Sequence, residues 1–164
     1  MSVNKSKFNN KYKQGFYHLQ NPSKYIGDPT NIKFRSSWEY AFCTYLDMSE
    51  NIIRWQAEGI TIHYRDLQNH SHKYFPDFYY EIMKNDDPHE FTRVIAEIKP
   101  SNELIPPEKP INESGKKLEN YEYAVRTHIK NKIKWSSAID YCKSRGMEFV
   151  IITEKHLKQK GLIK

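Results

Sequence analysis

The sequence predicts one domain of mixed α+β class, in which a helix, a β-hairpin, a strand, a second helix and a last strand follow one another. The length of 164 residues suits a single hydrophobic core. Two stretches carry apolar residues at helical spacing, and five short stretches alternate or run apolar in the way typical of strands. Because the strands are separated by one hairpin turn and one long helix, we expect a mixed sheet with helices packed on it.

The N-terminal residues form a separate unit in this prediction. Residues 1–14 contain four lysines and no acidic residue. This composition predicts a basic arm that meets an anionic partner. A solvated tail or a packing strand would carry the same residues. The single domain then spans residues 15–164. Its first part, residues 15–34, mixes glycines and prolines with aromatic residues and is expected to lie irregularly on the surface.

The first helix is expected to begin at Ser36 or Ser37, because either serine can cap a helix N-terminus. It should end near Ser49. Glu39 falls in its first turn, where a carboxylate interacts favourably with the helix dipole. The same position would also let Glu39 face a site on the sheet. The apolar stripe of this helix consists of Trp38, Ala41, Phe42, Tyr45 and Leu46.

Strands are expected at residues 52–55 and 92–98, with a hairpin between them. In that hairpin, residues 60–64 pair with residues 73–83. Pro76 lacks an N–H group, so it must lie at an edge, a bulge or a strand start. A further strand at 148–152 follows the second helix.

Charged residues on the central strands mark the candidate site. Asp77 directly follows Pro76, and the meander of strands places it beside Glu97. Glu97 and Lys99 are two residues apart, so they point to the same face of their strand, while Ile98 points to the other. Charges on an otherwise apolar strand are costly to bury, which indicates a functional role.

Two carboxylates on neighbouring strands suit a Mg²⁺ ion, which takes oxygen ligands and keeps several waters. Asp77 and Glu97 would supply carboxylates, the backbone carbonyl of Ile98 a third oxygen, and Glu39 a possible fourth. Mn²⁺ is a possible substitute. Lys99 cannot bind a cation as an ammonium group, but it can position or help deprotonate an attacking water and offset charge on a phosphate.

The second helix is expected over residues 115–145, with Gly146 ending it. Lys132 falls inside its predicted buried stripe, from which it either reaches the site or extends its amine back to water. On another face, an arginine and two lysines repeat every fourth residue and would either meet phosphates or form a solvated surface. His72 either approaches a nucleic acid or covers its strand. The predicted buried stripe is Leu118, Tyr121, Val125, Ile129, Ser136 and Ile139, and the basic repeat is Arg126, Lys130 and Lys134.

The net charge of +6 is compatible with an anionic partner such as DNA, although many domains reach this charge without one. The two cysteines lack CxxC spacing, which indicates a reduced intracellular setting. No secretory signal or membrane-spanning run is present, so no membrane partner is expected.

These motifs carry a resemblance to a known family. The segments Phe34–Tyr40, His72–Phe78, Ala96–Pro100 and Asn131–Trp135 resemble the head completion nucleases of T-even-type tailed bacteriophages, within the PD-(D/E)XK nuclease superfamily. The layout is also similar to TnsA-type transposase endonucleases. The resemblance runs from about residue 15 to about residue 160.

The resemblance implies a restriction-endonuclease-like core and Mg²⁺-dependent DNA cleavage by Glu39, Asp77, Glu97 and Lys99, with Lys132 as an auxiliary group. It also implies a role in processing the end of packaged phage DNA, with phage head or portal proteins as partners and a location in the virion and the host cytoplasm. Two alternatives stay open: a structural head–tail protein with a vestigial site, and a TnsA-like transposition endonuclease subunit. The sequence leaves the oligomeric state open.

Overall fold

A computed structural model describes residues 14–111 and 115–164 and confirms the mixed α+β class. The predicted basic arm, apart from Gln14, lies outside the described residues. No helix in the described ranges combines the length and the apolarity that crossing a bilayer requires. The strands are β1 (Gly15–Phe16), β2 (Lys33–Phe34), β3 (Ile52–Ala57), β4 (Ile62–Arg65), β5 (Ser71–Tyr74), β6 (Phe78–Lys84), β7 (Asp87–Ile98) and β8 (Glu148–Ile152), and the helices are α1 (Ser37–Met48), α2 (Lys116–Lys143) and α3 (Glu154–Gln159).

The central sheet has four strands in the order β3-β6-β7-β8. The first three are antiparallel, and β8 runs parallel to β7 because α2 carries the chain back across the sheet. β6 and β7 are joined by Asn85 and Asp86, with φ angles of 51° and 56°. Two left-handed residues in a two-residue loop match the twist of the strands, so β7 starts at Asp87, earlier than predicted.

The prediction of one hairpin across residues 60–83 is wrong in its second half. Only β5 pairs with β4, whereas β6 belongs to the central sheet and pairs with β3 and β7. The break falls at residues 75–77, around the buried Pro76. Because proline cannot donate to a ladder, the chain changes sheets there, and Asp77 comes to lie immediately before β6.

The two faces of the sheet hold two apolar clusters. Phe42 and Leu46 of α1 pack on one face together with Ala96 and Ile98. The other face packs Ile95 against α2 and the β4–β5 hairpin. Side chains on β7 therefore alternate as predicted.

The buried face of α2 differs from the prediction. Ile129 and Ile139 are partly exposed, and Ser136 is exposed. The large ring of Trp135 is buried instead, and it sets the rotation of the helix. The buried residues of α2 are Asn131, Trp135, Ala138 and Cys142, which follow one another at helical spacing.

The prediction that residues 15–34 lie only on the surface is wrong. Part of this segment enters the core. Tyr17 and Ile32 are buried beside α1. The fully buried carboxylate of Asp47 accepts hydrogen bonds from the Tyr17 hydroxyl at 3.0 Å and from the backbone N–H groups of Gln20 at 2.7 Å and Asn21 at 3.0 Å. A buried carboxylate is stable only with such partners, so Asp47 holds this segment against α1.

Candidate active site

Asp77 lies directly before β6 and Glu97 lies on the neighbouring strand β7, so the predicted pairing of the two segments that carry the acids is confirmed. Asp77 immediately precedes Phe78, whose partner in the sheet is Ala96. The Asp77 Oδ2 atom accepts a hydrogen bond from the Ile98 N–H at 2.7 Å, and the Asp77 carbonyl accepts one from the Glu58 N–H at 2.9 Å. The aspartate is therefore held through its side chain and its backbone.

Glu97 is buried, with 6% of its surface exposed. Its Oε2 atom accepts a hydrogen bond from the Tyr74 hydroxyl at 2.8 Å, and its Oε1 atom lies 3.3 Å from the Lys99 Nζ atom. Each carboxylate oxygen thus has one defined neighbour. Sequence reasoning did not assign Tyr74 to the site, although its position three residues before Asp77 was a usable signal.

Hydrogen bonds fix the backbone just after the C-terminal end of β7. The Lys99 N–H donates to the Ile152 carbonyl of β8 at 2.9 Å. The Glu154 carboxylate accepts hydrogen bonds from the Ser101 N–H at 2.8 Å and from the Ser101 hydroxyl. The first residue of α3 therefore anchors the backbone that carries Lys99, a contact that no local pattern indicated.

The electrostatics of the cluster favour a bound cation. Burial raises the pKa of Asp77, and the negative charges of Glu97 and Glu39 raise it further, against the opposing effects of the Ile98 N–H and Lys99. Burial by itself lowers the pKa of Lys99, but Glu97 and Asp77 outweigh it, so the pKa of Lys99 is raised and its amine stays protonated. A cation at the two carboxylates would relieve their repulsion.

Glu39 approaches this cluster but is engaged elsewhere. Its Oε2 atom accepts a hydrogen bond from the Arg35 N–H at 2.7 Å, and its Oε1 atom accepts one from the Ser36 hydroxyl at 3.1 Å. Ser36 in turn accepts from the Glu39 N–H, and this hydrogen bond caps the start of α1. Glu39 therefore acts on Asp77 through its charge, and a place among metal ligands stays a prediction.

The residues present fit a hydrated Mg²⁺ ion better than a closed protein cage. Within residues 14–111 and 115–164, no group of three or more His, Cys, Asp or Glu side chains is placed to hold one ion. Mg²⁺ needs only one or two carboxylates beside its waters, and Asp77 and Glu97 are two. The carbonyl of Ile98 lies on the same side of β7 as its N–H, which points to Asp77, because both groups of an extended residue face one neighbour.

Lys134, rather than Lys132, faces the acidic cluster. The Lys134 Nζ atom lies 5.3 Å from the centre of the Tyr74 ring. Burial and the charge of Lys130 lower the pKa of Lys134, while Glu97 and Asp77 raise it by smaller amounts. Lys132 is exposed, because two residues turn a helix by about 200° and place the two lysines on different faces. The exposed side chain of Lys132 fits the alternative in which its amine extends to water, and a role for Lys132 in the site stays a prediction.

The remaining basic candidates form one row. Arg126 and Lys130 are exposed on α2. Lys134 follows at the same spacing of four residues and is the member of the row that faces the acidic cluster. His72 lies apart from them on β5, where its Nε2 atom is 2.8 Å from Asp66 Oδ2. A DNA-binding role for His72 stays a prediction, and its described contacts are those of the β4–β5 hairpin.

Comparison with known proteins decides the family. The model of the TnsA-like endonuclease N-terminal family matches residues 49–154, which is more than half of the chain. The chain belongs to the TnsA-like endonuclease family. The head completion nuclease of Enterobacteria phage T4 is 35% identical over 143 residues, which cover 87% of this chain and 91% of that relative. No solved structure matches the chain.

The match of the TnsA-like family contains most of the cluster. Asp77, Glu97, Lys99 and Lys134 lie inside residues 49–154, whereas Glu39 precedes them. The alignment with the phage T4 relative is long enough to cover most of the described domain. Membership of this family and the resemblance to the phage nuclease both identify the chain as a nuclease.

Proposed function

We propose that this TnsA-like protein is a Mg²⁺-dependent DNA endonuclease that hydrolyses phosphodiester bonds with Asp77, Glu97 and Lys99. The observation that carries the proposal is the carboxylate pair of half-buried Asp77 and buried Glu97, in which the pKa of Asp77 is raised and Lys99 lies beside Glu97. An acidic pair with these properties has little purpose in the core but suits a divalent cation and a phosphate.

The metal would lower the pKa of the attacking water and stabilise the charge on the phosphate oxygens. Asp77 and Glu97 would hold it, with the Ile98 carbonyl as a further oxygen ligand. Tyr74 would fix the orientation of Glu97 through its hydrogen bond to Oε2. Mn²⁺ should replace Mg²⁺, since carboxylates, carbonyls and water suit both ions.

Lys99 has a role set by its charge. Because its pKa is raised, its amine enters the reaction protonated, as a donor to the phosphate or to the attacking water. The Glu97 oxygen at 3.3 Å keeps the amine at the same end of β7 as the two carboxylates. This arrangement supports electrostatic stabilisation of the developing phosphate charge rather than proton abstraction by Lys99 in the resting enzyme.

The Lys99→Met variant tests the proposal directly. Met keeps the aliphatic stem and removes the charge, so we expect Mg²⁺ to bind as well as to wild type or better, while plasmid nicking slows by about 10²–10³-fold. Calorimetry with Mg²⁺ and single-turnover nicking with and without a chelator give the two readouts. Nicking at the wild-type rate would remove Lys99 from the reaction.

The row formed by Arg126, Lys130 and Lys134 is proposed to hold the DNA backbone. The Lys134→Gln variant should weaken DNA binding at every sequence and lower the slope of log affinity against log salt by about one. Lys132→Gln is the matched control, because it removes the same charge from a different face of α2. Equal losses in both variants would contradict a directed phosphate row.

The phage T4 relative supports a finer proposal, that cleavage acts on the end of packaged DNA during head completion. Phage head or portal proteins would then be partners, and the protein would be found in virions and in host cytoplasm during assembly. We expect the purified protein to co-sediment with tailless heads in a way that does not require cleavage. Failure to co-sediment, alongside intact nicking, would instead favour the transposition endonuclease subunit to which the TnsA-like family points.

A structural head–tail protein with a vestigial site is the second candidate. It is favoured by the commitment of both Glu39 oxygens to the cap of α1, which leaves two carboxylates for a metal. If calorimetry detects no binding of Mg²⁺ or Mn²⁺ to the wild-type protein, this candidate replaces the endonuclease.

A further inference from the structure

A cavity of about 400 Å³ lies between α2 and the 3₁₀ turn Ser101–Leu104 that follows Lys99. Glu103 and Ile105 line it from the loop, and Tyr123 and Asn131 line it from α2. The chemistry proposed above does not use any of these four side chains. The volume is in the usual range for pockets that take small organic groups.

Both walls of the cavity lead to residues of the proposed reaction centre. On the loop side, Glu103 follows Lys99 by four residues, within the turn Ser101–Leu104. On the helix side, Asn131 precedes Lys134 by three residues, so the two share a face of α2 one turn apart. The Lys134 Nζ atom in turn lies 5.3 Å from the centre of the Tyr74 ring, whose hydroxyl donates to Glu97. A phosphate at the acids would therefore carry its neighbouring nucleotide toward this cavity.

The inner end of the cavity is polar. Asn131 is 9% exposed, and its side chain lines the cavity. A ligand whose polar edge pairs with this amide would replace the water that solvates it in the open cavity. An amide donates and accepts side by side, and it therefore matches the edge of a nucleobase.

The outer part of the cavity offers apolar surface. Tyr123 is 69% exposed and Ile105 is 64% exposed, so both side chains are accessible to a flat ring. The backbone carbonyl of Glu103 lies 3.4 Å from the Nδ1 atom of His128, which ties the loop to α2. A base that enters between the loop and α2 would contact the Tyr123 ring on one side, as in proteins that bind single-stranded nucleic acid.

We propose that this cavity receives an unpaired nucleobase next to the scissile phosphate. The preferred substrate is then DNA with unpaired nucleotides at the cut, such as an overhang or a gap, rather than continuous duplex. A base within a duplex is stacked and its edge is engaged, so it cannot reach Asn131 without being extruded. The proposal rests on the endonuclease function proposed above and defines its substrate class.

Cleavage of matched oligonucleotides tests the substrate class. One labelled strand is presented in continuous duplex, in a gapped duplex and with an overhang, always with Mg²⁺. Wild type should cut the unpaired substrates about tenfold faster or more, the size expected for one stacked base. Tyr123→Ala and Asn131→Ala should remove most of this preference and leave the duplex rate unchanged. Ile139→Ala, which shortens an exposed apolar side chain elsewhere on α2, is the control.

A binding measurement separates this proposal from the endonuclease function. The inactive Glu97→Gln protein is titrated with DNA that carries 2-aminopurine at the unpaired position. Stacking should change the fluorescence of the probe in this protein, and the additional change Tyr123→Ala should abolish the effect. Equal cleavage of duplex and unpaired DNA by wild type, or no fluorescence change on binding, overturns the base-binding proposal. Absence of all cleavage with a normal fluorescence change overturns the endonuclease proposal instead.

Discussion

Replacement of Glu97 by Gln should lower the rate of Mg²⁺-dependent DNA cleavage by a factor of about 10³ or more. Gln keeps the shape of the side chain and can still accept the Tyr74 hydrogen bond, but it removes the charge that a cation needs. It also leaves the Lys99 amine without its nearest carboxylate. Single-turnover nicking of plasmid DNA across a Mg²⁺ titration measures the loss and shows whether it comes from metal affinity.

Glu81→Gln is the matched control for this result. Glu81 is also a buried acid, and its carboxylate is paired with the Arg54 guanidinium at 2.8 Å and with the Tyr79 hydroxyl at 2.7 Å. Its neutralisation should lower the free energy of unfolding, since the buried Glu81 loses its ion pair with the partly exposed Arg54, while cleavage by the folded protein continues. If Glu81→Gln abolished cleavage in the same way as Glu97→Gln, loss of a buried charge would explain both effects and the site would lose its support.

Asp77→Asn should abolish cleavage and at the same time stabilise the metal-free protein at neutral pH. The pKa of Asp77 is raised by burial, by Glu97 and by Glu39, so the folded state holds a proton that the unfolded chain has released. Stability of wild type therefore falls as pH rises above the ordinary pKa of an aspartate, because the native state binds more protons than the unfolded state there. Asn has no charge to desolvate, and its oxygen can still accept from the Ile98 N–H.

Thermal unfolding without metal, from about pH 5 to about pH 8, measures this effect. The difference between Asp77→Asn and wild type should grow with pH, and each gain of about 1 kcal/mol raises Tm by about 2–4 °C in a domain of this size. Added Mg²⁺ should raise the Tm of wild type but not that of the variant, since only the wild type binds it well. A variant less stable than wild type at pH 8 would show that the Asp77 carboxylate is a structural anion.

Local sequence patterns were sufficient to predict the strands around Asp77 and Glu97. The alternation of β7 correctly placed Glu97 and Lys99 on one face and Ile98 on the other, and the short turn before β7 brought Asp77 alongside. The capping serine at position 36 and the first helix were also predicted correctly. These features depend on neighbours within a few residues, so the sequence contains the information directly.

Features that depend on distant partners were missed or wrong. To predict the break between β5 and β6, one must recognise that the chain changes sheets at Pro76. The break also lets the Tyr74 hydroxyl reach Glu97. Glu154 holds the chain after Lys99 from 53 positions away. Contacts of this kind arise when separate elements pack together, and no spacing within one element encodes them.

By itself, the sequence determined the fold class, the two strands with their acids and the lysine that accompanies them. The tertiary structure decided which groups from the helices reach those acids. On α2, the burial of Trp135 goes with a rotation that places Lys134 toward the acids and Lys132 in solvent, since one rotation of a rigid helix orients all its side chains together. On α1, the capping hydrogen bonds of Glu39 compete with any role it has as a ligand. Helical periodicity defines which residues share a face, but only packing against the sheet selects the face that becomes buried.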